Sequence, residues 1–570
     1  MVHAKQITVG GLLRGDEQFR VPLFQRHYQW SRPQWEDLWN DVARLAMERS
    51  TLDGSATHFL GSVVLSKVPG QGGGLVVVDG QQRLITLGTL LCALRDCDIQ
   101  LGARSYRAIE RALWLPSPTN GLIYERLRVL PTQVDRESYG RIVGQETNGT
   151  RTSVIRAYEY FSRRIRDLTE DEAQGEEIFY GLSTTDLVRA TLNGLECVLI
   201  TAEPNDNAHR IFQSLNNTGL PLTQADLIRN YVFMRLDDAQ QEDFYEFTWK
   251  QLEGRFSPQE FTQLFWLDLI LDGNTVTQRQ TYVYQQKAME SQSKRQIVDK
   301  IAALGARAEL WDVILHPENE TSAKIGRRLK RIAEWGTSTA APTLIYLLER
   351  RANGTASASE VARAMLFLES YFVRRVVVGR ATMNMNRVLM DAPAQMRSDD
   401  RTVDVALRAH LSGPGKHWAP DQELLALAST KPFYRHGRAH QKRLVLRWIE
   451  EAMHGHEDIL DPDLTIEHVM PQALTRDWRQ EIRREVTSRE SVAGLHDGLV
   501  HTIGNLTLTG RNSSLSNRSF TEKKRMLRKY GTGIQMTHEI TNERHWGPNE
   551  IRARSKRMIE RIIDNWPGPL

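Results

Sequence analysis

Between Leu75 and Leu94 the hydrophobic pattern changes period at a single dipeptide. Leu75 to Val78 is a short continuous apolar run; Asp79-Gly80 follows, and Leu84, Leu87, Leu91 and Leu94 then recur at helical spacing. That switch places the polar pentapeptide Asp79-Gly80-Gln81-Gln82-Arg83 at a strand-to-helix junction. Phe59 to Leu65 is a second apolar run, separated from the first by the glycine-rich stretch Gly70 to Gly74, so the two are predicted to pair as strands. Upstream, Ser31 and Gln34 have capping-box spacing, and Trp35, Leu38, Trp39, Val42 and Leu45 follow on one helical face.

The chain is 570 residues long, more than one hydrophobic core usually organises, and its texture divides into three. Residues 1–235 mix strands and helices. A further helix start lies at Leu222-Thr223-Gln224-Ala225-Asp226, where Thr223 can cap and Asp226 sits near the positive end of the dipole. Residues 236–455 read as a mainly helical middle region, with loops at Asn353-Gly354 and Gly413-Pro414-Gly415. Residues 456–570 show short strands around Leu464 to Val469 and Ile503 to Leu508, then a basic helix from Phe520 to Tyr530. No internal repeat is evident, and the expected fold class is α+β.

With 40% hydrophobic residues and 13 Trp the chain has ample core material, which excludes a disordered protein. Its formal charge of +4, from 74 basic and 70 acidic residues, excludes a surface that binds polyanions everywhere. The excess is local: Arg511 to Leu570 holds 13 Lys and Arg against 6 Asp and Glu. Cys92, Cys97 and Cys197 form neither a CxxC pair nor a disulfide framework, which points to a reducing compartment and away from a structural zinc site. The N-terminal residues lack a signal-peptide pattern, and no apolar run approaches the roughly 18 residues of a membrane span, so a soluble cytoplasmic protein is expected.

Thr465-Ile466-Glu467-His468-Val469-Met470-Pro471-Gln472 sets a carboxylate beside an imidazole at a strand end. Ile503-Gly504-Asn505-Leu506-Thr507-Leu508 follows, then Asn512, Asn517, Phe520, Lys523 and Lys524. Phosphodiester hydrolysis with one metal ion needs these types: a His to take a proton from water, and hard oxygen donors to hold a divalent ion against the phosphate. Glu467 with an Asn carbonyl oxygen suits Mg²⁺ or Mn²⁺. At the other motif, the helix N-terminus after Gly80 offers backbone N–H groups to a phosphate. Arg83 can fork onto phosphate oxygens, Gln81 and Gln82 can hydrogen-bond a base or ribose, and Asp79 can hold Mg²⁺ or orient water.

The ordered set EHVMPQ, GNLTL, an Asn pair and a Phe-Lys helix resembles the HNH ββα-metal nuclease domain of GmrSD-type restriction enzymes. The resemblance implies His468 as general base and Glu467 as metal ligand, with Asn505 bracing the hairpin behind the base. Asn512 would be the second metal ligand, with Asn517 competing for the role. Lys523, Lys524, Arg525, Arg528 and Lys529 would contact DNA phosphates.

VVDGQQRLITL resembles the DGQQR signature of the ParB-like N-terminal domain in the same family, where it is linked to NTP binding and hydrolysis. Gln25-Arg26-His27-Tyr28-Gln29-Trp30 matches the companion QRxYxW pattern, and Phe212 to Gly219 with Asp226 to Asn230 matches a third block. Gln25 and Arg26 would line the nucleotide or DNA pocket, and Tyr28 or Trp30 would stack on a base or sugar, although aromatics before a capped helix also serve as core. No Walker A motif is present. Arg374-Arg375 with Asn386 resembles another family block without an assigned chemistry.

The resemblance implies an NTP-regulated (GTP or ATP), modification-dependent DNA endonuclease of the type IV class, acting in defence against phage. Its substrate would be DNA carrying glucosylated hydroxymethylcytosine or phosphorothioate, and the class allows a homodimer. Two other readings stay open: a nucleotide-regulated DNA-binding protein with a silent HNH domain, and an HNH nuclease indifferent to DNA modification.

Overall fold

The computed structural model describes residues 3–23, 25–51, 54–67, 74–116, 123–146, 150–169, 182–202, 223–336, 338–380, 384–454, 464–486, 491–510, 512–531 and 533–570. It falls into two compact units, Met1–Thr262 with Thr277–Ala302, and Gln263–Val276 with Ala303–Leu570. The helical stretch after residue 236 is therefore shared between them.

The first unit is built on a six-stranded mixed sheet. Its strands are β1 (His3–Thr8), β2 (Gln18–Arg20), β3 (His58–Lys67), β4 (Gly74–Asp79), β5 (Val129–Leu130) and β6 (Leu195–Ala202), in the order β1-β6-β3-β4-β2-β5. The two apolar runs pair as expected, antiparallel, with Leu65 opposite Val77 and Val64 opposite Asp79. The Gly70 to Gly73 part of their connection lies outside the described residues. Gly80 has φ +93°, a conformation only glycine adopts without strain, and a Cβ there would stand 3.2 Å from the Ser62 carbonyl. The chain turns at that point into the helix Gln81–Gln100.

That helix is covered nearly all round, beyond the single apolar face that its leucine spacing suggests. Thr86, Thr89, Arg95 and Asp98 are buried with the leucines, because the helices Tyr106–Leu113, Gln133–Val143 and Ser153–Thr169 all pack on it. The polar members are satisfied within the core: the Arg95 guanidinium donates to the Ile142 and Val143 carbonyls at 2.9 and 2.7 Å. The helix Arg32–Thr51 starts as read, with the Ser31 amide and hydroxyl donating to Gln34 Oε1. The Thr223–Asp226 capping box opens the helix Gln224–Arg235.

The second unit is helical with a small hairpin. Trp335, at the end of the helix Ala323–Trp335, stacks on Phe372 (5.9 Å, 13°) and on Trp448 (5.5 Å, 27°). The Arg374-Arg375 pair is structural. Both side chains are fully buried; Arg374 donates to the Trp566 and Ala419 carbonyls and pairs with Asp421, while Arg375 donates to the Lys416 carbonyl.

The hairpin consists of β7 (Thr465–His468) and β8 (Leu506–Thr509), antiparallel, with Glu467 opposite Thr507 and His468 opposite Leu506. The basic helix occupies Phe520–Tyr530, the expected bounds. One element departs from expectation: Ile503–Asn505 is a turn of 3₁₀ helix, and the strand begins only at Leu506. The reason is that the Gly504 backbone bonds to the helix Pro548–Asn565. Its N–H donates to Ser555 Oγ at 3.1 Å and its carbonyl accepts from Arg554 at 2.7 Å. A Cβ on Gly504 would lie 2.2 Å from the Ile551 carbonyl oxygen and 2.6 Å from the Ser555 nitrogen. Backbone cannot move aside as a side chain can, so Gly504→Ala is expected to destabilise the second unit by about 3 kcal/mol or more. A thermal melt that matches the unsubstituted protein would contradict this packing.

Candidate functional site

The three N-terminal motif blocks converge through hydrogen bonds from side chains to backbone. Gln81 and Gln82, at the start of the helix that follows Gly80, are both buried. Gln81 Nε2 donates to the Arg26 carbonyl at 3.0 Å and Gln82 Nε2 to the His27 carbonyl at 3.2 Å. Gln82 Oε1 accepts from the backbone N–H groups of Gln29 and Trp30. Gln25 is buried as well, and donates to the Val78 carbonyl at 2.9 Å. From the third block, the buried Arg229 donates to the Leu23 carbonyl at 2.6 Å and pairs with Glu253. The segment carrying Gln25 to Trp30 is thus clasped from two sides. Phe212 to Gly219 lies outside the described residues.

This clasp revises the expectation that both glutamines face a ligand. Gln82 uses its carbonyl oxygen on two backbone donors, whereas Gln81 keeps a buried Oε1 without a hydrogen-bond partner. Tyr28 is a correction. It is 1% exposed, its hydroxyl bonded to Thr86 and Trp35, so it is a core residue and its ring is not available to a base. The other aromatic, Trp30, is half-buried on the wall of a cleft of about 210 Å³, together with Asp37, Asp41, His58, Phe59 and Arg83.

Charge concentrates beside that cleft. Arg83 donates to the Ser62 carbonyl at 2.7 Å, and its guanidinium lies against Gly61, whose missing side chain leaves it room. Burial pushes the Asp79 carboxyl up, while Arg83, the Gly80 N–H and Arg26 hold it down. Burial also lowers Arg26, opposed by Asp226 and Asp79. Charged residues from all three blocks therefore act on Arg26 or Asp79.

In the second unit the hairpin carries the catalytic candidates. Asn505 is fully buried and uses its whole side-chain capacity: Oδ1 accepts from the Met470 N–H (2.8 Å) and Trp546 Nε1 (3.1 Å), and Nδ2 donates to the Met470 and Val500 carbonyls (both 2.8 Å). A group so enclosed positions the chain and does not touch a substrate. His468, at the end of β7, is 6% exposed, with Nε2 3.2 Å from His501 Nδ1. The Tyr434 ring stands edge-on to His468 at 4.4 Å and stacks on His501 at 5.7 Å. Lys442 lies over the Tyr434 ring and donates to its carbonyl. Burial, with His501 and Lys523 adding to it, lowers His468 to about 3, so its imidazole is neutral at physiological pH.

Glu467 is buried and paired with Lys523, whose Nζ lies 2.5 Å from Oε1 and 2.7 Å from the His468 carbonyl. Burial pushes the Glu467 carboxyl up and the Lys523 ammonium down, and their attraction opposes both shifts. This corrects the reading of Lys523 as a DNA contact, because its side chain is 1% exposed and turned into the protein. Of the remaining basic helix, Lys524 is half-buried on the Glu543 carbonyl, while Arg528 is exposed and donates to the Thr541 carbonyl at 2.8 Å. Asn512 opens a short helix and its side chain lies outside the described residues; Asn517 is exposed. The donor types suit Mg²⁺ or Mn²⁺, but an ion taking Glu467 must compete with Lys523 for the carboxylate.

Sequence reasoning missed His501, Tyr434, Lys442, Trp546 and Arg554. His501 was within reach, a polar residue just ahead of the Gly504-Asn505 pair. Tyr434 and Lys442 arrive from a helical stretch with no local signal.

Two family models match the chain. One describes the N-terminal domain of the GmrSD restriction endonuclease and covers residues 9–233; the other describes the C-terminal domain of GmrSD restriction endonucleases and covers 418–561. The chain belongs to the GmrSD-type restriction endonucleases, and its substrate is accordingly DNA. The second match includes Tyr434 and Lys442. No curated protein matches the chain. Among the described residues, no helix is long and apolar enough to cross a membrane.

Removing one partner of a buried ion pair leaves an uncompensated charge. Lys523→Met is therefore expected to cost about 3–5 kcal/mol, and the double variant Glu467→Gln/Lys523→Met to recover most of it. Equal stability of the single variant and the parent in urea titration would show that the pair is solvated in solution.

Proposed function

We propose that the protein is an NTP-regulated, modification-dependent DNA endonuclease in which His468 is the general base. The observation that carries the reading is the placement of the His468 imidazole at a strand end beside Glu467, on backbone fixed by the fully bonded Asn505, in a chain of restriction-endonuclease family. A neutral imidazole accepts a proton from water, which then attacks phosphorus while the 3′ oxygen leaves. Asn505 fixes the backbone at Met470, just past the base, and Tyr434 and His501 confine the ring. Glu467 with Asn512 or Asn517 would hold Mg²⁺ or Mn²⁺, which when bound neutralises charge on the scissile phosphate and the leaving oxygen. Lys524 and Arg528 would meet flanking phosphates, and their effect would weaken with salt.

In the first unit, Arg26, Asp79 and Arg83 would bind GTP or ATP, with the orphan Gln81 Oε1 as an acceptor for a sugar hydroxyl or base amine and Trp30 as a stacking surface. Modified DNA, carrying glucosylated hydroxymethylcytosine or phosphorothioate, would license cutting through this unit. A nucleotide-regulated DNA-binding protein with a silent nuclease domain is the second reading, favoured by the Lys523 ammonium that already neutralises Glu467.

His468→Ala decides between the two. If His468 is the base, cleavage falls by about 10²- to 10⁴-fold while DNA affinity is kept. Cleavage at the parent's rate would remove His468 from the reaction. Arg83→Ala is expected to lower NTP turnover at least tenfold without unfolding the first unit; unchanged turnover would make the DGQQR junction purely structural.

A further inference from the structure

Away from the hairpin, three side chains of the second unit bring their ligand atoms within 4.8 Å of one another: Glu485, just past the helix Arg476–Arg483, His545, in the link before the last helix, and Glu550, in that helix's first turn. The two carboxylates are arranged alike. Glu485 Oε2 accepts from the Asn549 N–H at 2.7 Å and Glu550 Oε2 from the Gly547 N–H at 2.9 Å. Each thus anchors one oxygen on backbone and turns the other, Oε1, toward His545 Nε2, at 3.4 Å from Glu485 and 3.0 Å from Glu550.

Two features set this apart from an ordinary surface ion pair, and the spacing admits an ion. The Glu485 side chain is only 10% exposed, and its buried Oε1 accepts no well-formed hydrogen bond, with His545 Nε2 at 3.4 Å as its ion-pair partner. Gly547 provides the space for that oxygen: a Cβ there would stand 2.5 Å from it. The spacing also fits an ion. Donors about 2.0–2.2 Å from a cation, at angles of 90–109°, stand about 2.8–3.6 Å apart, which brackets both measured separations.

We propose that Glu485, His545 and Glu550 form a binding site for a divalent transition cation of the Zn²⁺ type, with water completing the shell. One imidazole and two carboxylates suit such an ion better than Mg²⁺ or Ca²⁺, which prefer oxygen donors alone. The cysteine pattern, which points away from a thiolate zinc site, has no bearing on a site of one imidazole and two carboxylates. His545 is 42% exposed, which gives ions and water access. The site's role is structural. It ties the end of the Arg476–Arg483 helix to the start of the last helix around Trp546, whose indole N–H donates to the Asn505 brace and whose backbone N–H donates to Glu481.

The test uses the full chain, stripped with chelator and dialysed against Zn²⁺, beside Glu485→Gln and His545→Gln. The unsubstituted protein is expected to retain one more Zn²⁺ per chain than either variant. It should also melt about 5 °C or more higher when Zn²⁺ exceeds its Kd a hundredfold, a rise that both variants lose. Comparing stoichiometries separates this site from any ion held near Glu467, so the outcome does not depend on the nuclease reading. Equal Zn²⁺ content in all three proteins, or none in any, would overturn the proposal and leave a protonated His545 bridging two carboxylates. If Glu485→Gln does not fold, the half-exposed His545→Gln alone decides.

Discussion

The second unit depends on where Asn505 directs its amide. Four hydrogen bonds from one buried side chain tie the Met470 backbone, the Val500 carbonyl and the Trp546 indole to the start of β8. An amide buried with any of these unmade would carry a desolvation cost of about 1–3 kcal/mol, so the arrangement is all or nothing. It works only because Gly504, the residue before it, allows the last helix to approach to backbone contact. Arg554 then completes the layer from behind, donating to the Gly504 and Leu506 carbonyls at 2.7 Å each. The Gly-Asn pair is thus a packing device first, and the end of β7 inherits its rigidity.

The same economy governs the charges. Glu467 and Lys523 neutralise each other in the interior, and His468 beside them is kept uncharged by burial and by nearby positive charge. In the first unit the polar signature residues are turned inward, Gln25, Gln81 and Gln82 onto backbone and Arg229 onto Leu23 and Glu253. What faces the cleft is a smaller set, with Trp30 and Arg83 among its walls. Signature residues in both units therefore divide into those that hold the site together and the few left to meet a ligand.

Local patterns were legible where a single period or cap decides the structure. The apolar run around Val77, the Ser31 and Thr223 caps and the basic helix at Phe520 all lie where the sequence places them. Roles that depend on tertiary burial were not. Tyr28 and Lys523 have the side chains of nucleic-acid contacts, but Thr86 and Glu467, which come from distant positions, take them into the interior, with Trp35 closing over the Tyr28 hydroxyl. Ile503 and Gly504 read as strand, yet a helix that begins at Pro548 claims the Gly504 backbone. Tyr434, which confines the His468 ring, is invisible from the nuclease motif for the same reason.

In the proposed function, one chain joins a nucleotide-responsive DNA sensor to a His468-dependent cutter. Its most direct test is cleavage of unmodified, glucosylated and phosphorothioate-bearing plasmids with Mg²⁺ or Mn²⁺, in the presence and absence of GTP and ATP. Cutting confined to one modified substrate and altered by nucleotide is the expected result. Equal cutting of all three plasmids, unaffected by nucleotide, would contradict it.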